Sequence, residues 1–284
     1  MTEQNTFTGK ATNTILKDGG NKHFSPSGLE AIPNLFTLLN LLFGCIAIVF
    51  ALQTESIIIY VNDEFGSSFN IPGKLTWAGI FIILAGIVDF LDGFVARLLH
   101  ATSSLGKQLD SLSDIVSFGV APAAIIYQLL RFSFAREENG LDVSILWLLP
   151  AFILSCAAAW RLGKFNIDEN QSHNFRGIPT PAVGLLVASF PLILHYNAAL
   201  FGIGDMLINK WVLYAFILIV SYLMISDLPI MGMKFNDYTL KNNIPKIILA
   251  VVAVACAVFL HWAAVPVIFV VYILLSLVYK KELT

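Results

Sequence analysis

Eight runs of mainly apolar residues, each long enough to form a helix, constrain the fold of this chain more than any other feature. A membrane-spanning helix needs about 20 such residues. The runs lack the strict alternation of a barrel strand and exceed the roughly 10 residues that such a strand needs. Charged residues make up 13% of the chain, about half the share usual in soluble domains. The sequence therefore predicts an all-α, polytopic membrane helix bundle with about eight transmembrane helices, at residues 33–52, 75–99, 111–134, 144–162, 181–200, 211–226, 244–260 and 263–279.

The distribution of Lys and Arg predicts the orientation of the bundle, because cytoplasmic loops retain basic residues. If the N-terminus is cytoplasmic, 13 of the 17 basic residues fall on the cytoplasmic side. The remaining four are Lys74, Arg131, Arg136 and Lys210. We therefore expect an integral protein of the cytoplasmic membrane with both termini in the cytoplasm. The loop at 98–110 then faces the cytoplasm as well.

The chain divides into three parts on this pattern. Residues 1–32 form a polar cytoplasmic tail in which Ser25, Pro26 and Ser27 can open a short interfacial helix, and a disordered tail is the alternative. We expect the functional core at residues 33–200. Residues 201–284 would supply additional transmembrane helices that complete the bundle.

Four aspartates lie at the cytoplasmic membrane boundary, in the stretch VDFLDGFVARLLHATSSLGKQLDSLSD at 88–114. Residues three or four positions apart share one face of a helix. Asp89 and Asp92 therefore share a face with small residues on the second helix, and Asp110 and Asp114 share a face with serines on the third. In an antiparallel pair of helices these two faces would converge and form one acidic pocket.

Such a cluster needs a compensating cation, because each charged side chain near mid-membrane depth costs about 3 kcal/mol and the carboxylates repel one another. Oxygen ligands suit Mg²⁺, Mn²⁺ or Ca²⁺ better than Zn²⁺. Carboxylates shared between two ions are the usual form of a two-metal phosphoryl-transfer site. The alternative interpretation is that Asp89 and Asp110 only pair with Arg97 and Lys107 at the membrane interface.

The spacing D-x2-D-G-x2-A-R-x8-G-x3-D-x3-D, eight fixed positions within residues 89–114, resembles the signature of the CDP-alcohol phosphotransferases. The resemblance implies that Asp89, Asp92 and Asp110 bind two ions of Mg²⁺ or Mn²⁺. It also implies that Asp114 acts as the general base. Members of this family transfer a phosphoryl-linked lipid group from a CDP-activated donor to an alcohol.

A second segment, IPNLFTLLNLLFG at 32–44, resembles the pattern by which the first helix of this family lines the nucleotide pocket. Small residues would let cytidine and its phosphates approach the helix backbones, and an arginine can bind phosphate oxygens with two donors. In the first helix, an N-cap and polar helix-packing groups are the alternative interpretation. The predicted CDP-lipid-binding residues are Pro33, Asn34, Thr37, Asn40, Gly93, Ala96, Arg97 and Gly106.

Three further stretches, DSLSDIVSFGVAPA, RLGKFN and FRGIPTPA, are similar to the branch of the family that uses L-serine as acceptor. This similarity implies that the substrates are CDP-diacylglycerol and L-serine and that the products are phosphatidylserine and CMP. Serine brings a carboxylate, which the basic loop after the fourth helix can meet, although that loop also fits a simple topology signal. The serine-binding candidates are Arg161, Lys164, Asn166 and Arg176.

Two other classes of function stay open at this point. A sister phosphotransferase that uses glycerol phosphate or inositol phosphate would share the catalytic motif. A cation-binding transporter would more typically carry broken helices in two internal repeats, and the sequence contains no clear duplication. The family resemblance implies a homodimer in the lipid bilayer, and we expect no nucleic-acid partner.

Overall fold

The computed structural model describes residues 31–53, 59–62, 66–69, 73–99, 103–137, 142–167, 175–197, 202–231 and 244–279. These residues are predominantly helical, which confirms the predicted membrane helix bundle. The interfacial helix predicted within the tail lies outside the described residues. The first transmembrane helix begins at Ala31.

The described residues contain ten α-helices. Two of them, α3 and α4, are joined by a π-helical turn at Ile115–Val120 into one continuous segment. The helices are α1 (Ala31–Leu52), α2 (Gly73–Leu98), α3 (Ser104–Asp114), α4 (Ala121–Ala135), α5 (Ile153–Ile167), α6 (Thr180–Tyr196), α7 (Ile203–Leu207), α8 (Lys210–Ile225), α9 (Ile244–Leu260) and α10 (Ala264–Val278).

Five helical segments of the described residues are long and apolar enough to cross a membrane. They are Ala31–Leu52, Gly73–Leu98, Ser104–Ala135, Ile145–Ile167 and Ile244–Val278, whereas α6 and α8 are apolar but shorter. The last segment is interrupted by a tight turn at His261–Ala263, where His261 has a φ of 50°. Each predicted apolar run thus contains an apolar helix, and the count of eight membrane crossings stays a prediction.

The helix boundaries differ from the predicted ones where polar residues extend a helix beyond its apolar run. The third helix begins at Ser104 and not at residue 111, because the Ser103 hydroxyl caps it by accepting a hydrogen bond from the Gly106 amide at 3.0 Å. Much of the predicted loop at 98–110 is therefore helical. At its C-terminal end α5 continues to Ile167, and α6 ends earlier than predicted, at Tyr196.

Two small antiparallel strand pairs were not predicted. The first joins β1 (Ile59–Asn62) to β2 (Gly66–Phe69), and the second joins β3 (Phe175–Arg176) to β4 (Pro229–Ile230). After β3 the chain turns at Gly177, which has a φ of 72° and whose added Cβ would lie 2.5 Å from the Met224 carbonyl oxygen. The turn therefore needs glycine, and it holds the segment before α6 against the end of α8.

The centre of the bundle is formed by α4 and α6, most of whose side chains are buried. Phe118, in the π-helical turn, is fully buried, and an added Cβ at Gly184 would lie 2.8 Å from its ring. Lipid gives helices no hydrophobic reason to associate, so small residues that permit such close contact supply much of the packing energy. The π-helical turn is thereby held between α6 and the acid-bearing helices.

The C-terminal helices differ in how closely they join this centre. The α8 helix packs against α5, and α10 packs against α6 and β4. In α9, all of whose residues are described, Pro245 and Leu249 are the buried ones, and the other side chains are half-buried or exposed. The proposed division between a core at 33–200 and additional helices at 201–284 stays a prediction.

We expect Gly44→Ala to lower the stability of the bundle, because an added Cβ would lie 2.8 Å from the Ser117 Cα and 2.3 Å from its Oγ. Overpacking of this kind costs about 1–3 kcal/mol. The matched control is Gly163→Ala, where nothing lies within 4 Å of the added Cβ. Thermal unfolding of the purified proteins in detergent measures the difference, and equal melting temperatures for both variants would contradict this packing.

Candidate active site

The predicted convergence of the two acidic helix faces is present in the structure. Asp89 and Asp92 lie in the second half of α2, and Asp110 and Asp114 lie on α3. Single carboxylate oxygens from Asp89, Asp92 and Asp110 lie within 4.8 Å of one another. The structure thus brings together the three predicted metal ligands.

The fourth acid, Asp114, is the last residue of α3, one turn beyond Asp110. Its side chain is buried, and its Oδ1 atom has no hydrogen-bond partner within the described part of the chain. A carboxylate oxygen buried without a partner is costly, so this position favours a proton or a ligand. The position fits a group that exchanges a proton with a substrate.

The group of three carboxylates fits a divalent cation. Its donor set consists of oxygen atoms, which is the preference of hard cations such as Mg²⁺ and Mn²⁺. The ion pairs found among the described residues involve other side chains, so the alternative in which the acids pair with Arg97 and Lys107 receives no support there. The acidic cluster can therefore hold a metal ion.

Hydroxyl groups attach α1 to both acid-bearing helices. The Thr37 hydroxyl donates to Asp92 Oδ2 at 2.9 Å and also lies 3.2 Å from the Pro33 carbonyl oxygen. From α3, the Ser113 hydroxyl donates to the Thr37 carbonyl oxygen at 3.0 Å. One turn further on, Ser117 donates to the Asn40 carbonyl oxygen at the same distance. These contacts orient Asp92 and fix the distance between α1 and α3.

A cavity of about 500 Å³ lies beside the carboxylates, between the start of α1, the end of α2 and the start of α3. Six of the eight predicted CDP-lipid-binding residues line it, together with Asp92 and Asp110. At one wall, an added Cβ at Gly106 would lie 2.8 Å from Asn34 Oδ1, so a larger residue there would displace the Asn34 side chain. The six residues are Pro33, Asn34, Thr37, Gly93, Ala96 and Gly106.

The other two predicted residues occupy different positions. Asn40 is fully buried, and its side-chain nitrogen and oxygen have no hydrogen-bond partner among the described residues. Arg97 is exposed, and its Nη1 atom would lie 3.5 Å from a Cβ added at Gly93, so the guanidinium lies next to the cavity wall.

The cavity also contains three residues that the sequence interpretation did not select: Ser103, Ser104 and Lys107. Ser103 could have been found as an N-cap, since serine is a preferred residue at that position. Lys107 was considered only as an ion-pair partner, although it directly follows Gly106 of the motif. A lysine here offers a positive charge to a phosphate in the cavity.

The four predicted serine-binding residues are not equivalent in the structure. Arg161 is half-buried, donates from Nη1 to the Thr180 hydroxyl at 3.3 Å, and interacts electrostatically with Asp114. Lys164 is exposed and forms a salt bridge with Asp227 at 2.6 Å.

Asn166, near the end of α5, donates from Nδ2 to the Ser111 hydroxyl at 2.9 Å. Ser111 directly follows Asp110, so this hydrogen bond attaches the end of α5 to the acid-bearing face of α3. Arg176 lies in β3, and its side chain is outside the described part of the structure. Of the four candidates, Arg161 is the one whose charge interacts with an acid of the motif.

A membrane-embedded helical bundle that carries four motif acids beside a polar cavity defines the class of protein. The family model for CDP-alcohol phosphatidyltransferases matches residues 30–223. The chain belongs to the CDP-alcohol phosphatidyltransferase family and is an enzyme of that family.

Several relatives carry the same functional name. The chain is 32% identical to the CDP-diacylglycerol–serine O-phosphatidyltransferase of Helicobacter pylori over 215 residues, 75% of this chain and 77% of that protein. It is 36% identical to the Saccharomyces cerevisiae protein of the same name, over 58% of this chain and 55% of that protein. It is also 31% identical to the archaetidylserine synthase of Methanothermobacter thermautotrophicus, over 59% of this chain and 60% of that protein.

We expect Thr37→Val to weaken metal binding at the acidic cluster about tenfold, because loss of a hydrogen bond that orients a ligand typically costs 10–100-fold in metal affinity. Valine keeps the shape of threonine but cannot donate to Asp92. Thr37→Ser is the control and should bind like the unchanged protein. Titration with Mn²⁺, followed by the electron paramagnetic resonance signal of the free ion, measures this directly. Unchanged Mn²⁺ affinity in Thr37→Val would show that the hydroxyl does not orient the ligand.

Proposed function

We propose that the chain transfers the phosphatidyl group of CDP-diacylglycerol to the hydroxyl of L-serine, giving phosphatidylserine and CMP. The observation that carries this proposal is the convergence of three motif carboxylates beside a cavity of about 500 Å³. The names of the relatives in bacteria, yeast and archaea support serine as the acceptor.

Asp89, Asp92 and Asp110 would hold two divalent ions, Mg²⁺ or Mn²⁺. Such ions, when bound, neutralise the diphosphate of the donor and stabilise the departing CMP. The small residues of the cavity leave room for the cytidine and phosphates close to the helix backbones, with Arg97 and Lys107 at its margin as cationic partners. The lipid tails of the donor would remain in the bilayer beside the helices.

In the reaction, the serine hydroxyl oxygen forms a bond to the phosphorus that carries the diacylglycerol. The bond from that phosphorus to the oxygen of CMP breaks, and CMP leaves with the electron pair. Asp114 takes the hydroxyl proton, which its position next to the ligand group and its partnerless Oδ1 support. The carboxylate of Asp114 thereby acts on the serine hydroxyl, on the acceptor side of the site.

The serine carboxylate needs a cation in a site that is already rich in acids, because an unpaired charge in a partly dehydrated site costs several kcal/mol. Arg161 is the best-placed candidate, since its guanidinium interacts with Asp114 and its Nε atom has no hydrogen-bond partner within the described residues. Asn166 and Arg176 are further candidates, whereas Lys164 is engaged with Asp227.

The cellular setting follows from the sequence pattern. We infer an active site that faces the cytoplasm, from which serine would enter, and cytoplasmic positions for both termini. The distribution of basic residues supports residence in the cytoplasmic membrane. The family resemblance supports assembly into a homodimer.

An acceptor assay tests the proposed reaction. Purified protein in detergent with CDP-diacylglycerol should release CMP when serine is added, and not when glycerol phosphate or inositol phosphate is added. A chelator should abolish this release and Mg²⁺ or Mn²⁺ should restore it. Release with another acceptor alone would assign a sister activity, and full release in exhaustive chelator would exclude the metal-dependent site.

We expect Arg161→Lys to raise the KM for serine at least about tenfold, the effect of losing roughly 1.4 kcal/mol of binding. Lysine keeps the charge and the topology signal but cannot offer two parallel donors to a carboxylate. The KM for CDP-diacylglycerol should change little. Arg131→Lys, an exposed position on α4 near its far end from the acids, is the matched control. Unchanged serine dependence in Arg161→Lys would assign serine recognition to other residues.

A further inference from the structure

Another, smaller cavity lies between α5 and the end of α8. It measures about 10 Å³, which is room for about one water molecule. Three charged side chains line it: Arg161 and Lys164 from α5, and Asp227 from the segment just after α8. The cavity thus presents charges of both signs to a ligand.

The segment that carries Asp227 is held in place by the chain just before α6. The Gly177 amide donates to the Leu228 carbonyl oxygen at 2.9 Å, and the Ile178 amide donates to the Leu223 carbonyl oxygen at 3.3 Å. Leu223 and Leu228 lie on either side of the acid along the chain. These backbone contacts therefore hold its carboxylate at the wall of the cavity, opposite α5.

The α5 helix brings this cavity close to the acids of α3. Asn166, on the same helix, donates to the Ser111 hydroxyl at 2.9 Å, and Ser111 directly follows Asp110. Arg161 is the least exposed of the three charged residues in the cavity. Its Nε atom is buried and has no hydrogen-bond partner within the described part of the chain, so a donor remains for a ligand.

The two exposed charges of the cavity are joined by an ion pair that a ligand can replace. Lys164 Nζ lies 2.6 Å from Asp227 Oδ1, and the two side chains are 46% and 61% exposed. Exposed ion pairs of this kind contribute little to stability, because water competes for both charges. A zwitterion can offer an ammonium to the acid and a carboxylate to the lysine, so neither charge is left unpaired. Movement of the lysine side chain would also widen the cavity.

We propose that Asp227 is a specificity-determining residue for the acceptor: its carboxylate binds the α-ammonium of serine in place of Lys164, and the released lysine joins Arg161 at the serine carboxylate. The inference rests on the proposed function, since it assumes that serine is the acceptor. Glycerol phosphate and inositol phosphate are anions without an ammonium group, so the acid would repel them. Asp227 lies beyond residues 30–223, which the family model matches.

Asp227→Asn removes the negative charge and keeps the shape of the side chain. We expect it to raise the KM for serine about tenfold, because the ammonium loses a charged partner, with the KM for CDP-diacylglycerol unchanged. Asp227→Glu restores the charge and should restore most of the serine affinity. The matched control is Asp205→Asn, which removes the acid of another exposed salt bridge, with Arg136 at 2.9 Å just after α4. This control should leave both constants unchanged.

Two inhibitors separate recognition of the ammonium from a general structural effect. L-Alanine has the ammonium and carboxylate of serine without the hydroxyl, and propionate has the carboxylate alone. Against serine, the inhibition constant of L-alanine should be at least about tenfold lower than that of propionate in the unchanged protein. In Asp227→Asn this advantage should largely disappear.

Equal inhibition constants in the unchanged protein, or an undiminished advantage of L-alanine in Asp227→Asn, would overturn the proposal. The first comparison needs no variant. If Asp227→Asn does not purify as folded protein, Asp227→Ala replaces it with the same expectation, since it also removes the charge.

The unchanged protein distinguishes the two levels of the argument. If it releases no CMP with serine, the proposed function fails, and the role of Asp227 fails with it. If it uses serine normally and Asp227→Asn leaves the KM for serine unchanged, the role of Asp227 alone is excluded and the proposed function stands.

Discussion

Hydrogen bonds from hydroxyl groups to α1 and the acids hold the site together. Thr37 donates to Asp92 across the α1–α2 contact, and Ser113 and Ser117 donate from α3 and the π-helical turn to carbonyl oxygens of α1. Helices in lipid associate through close packing and such hydrogen bonds, because burial of apolar surface gives little driving force there. Gly44 on α1 lies close to Ser117, and this close approach permits the hydrogen bonds that position the acid-bearing helices.

This arrangement concentrates negative charge inside a membrane protein, and the surrounding structure is organised to compensate for it. Three carboxylates meet closely enough to share cations, and the fourth faces Arg161. The helices that surround this centre contribute different groups: α1 and α3 supply the polar wall of the cavity, while α5 carries the arginine and α6 supplies the hydroxyl that it contacts. The donor and the acceptor would therefore be recognised by different sets of helices that meet at Asp114.

The spacing of the motif was sufficient to predict much of the site, because residues three and four positions apart share a helix face whatever the rest of the fold does. This is why Asp89, Asp92 and Asp110 meet as predicted. The start of α3 at Ser104 was missed, since its polar first turns give no apolar signal. The cavity residues Ser103, Ser104 and Lys107 were overlooked for the same reason.

The sequence by itself determined that the chain is a helical membrane protein with an acidic motif, since hydropathy and helical period are properties of neighbouring residues. Only the tertiary structure decided which partners the basic residues contact. Lys164 forms a salt bridge with Asp227 and Arg161 donates a hydrogen bond to Thr180, although both lie in one short polar segment. Those partners come from α6 and from the segment just after α8, and the packing of α5 against α6 and α8 brings them together, which no local pattern can encode.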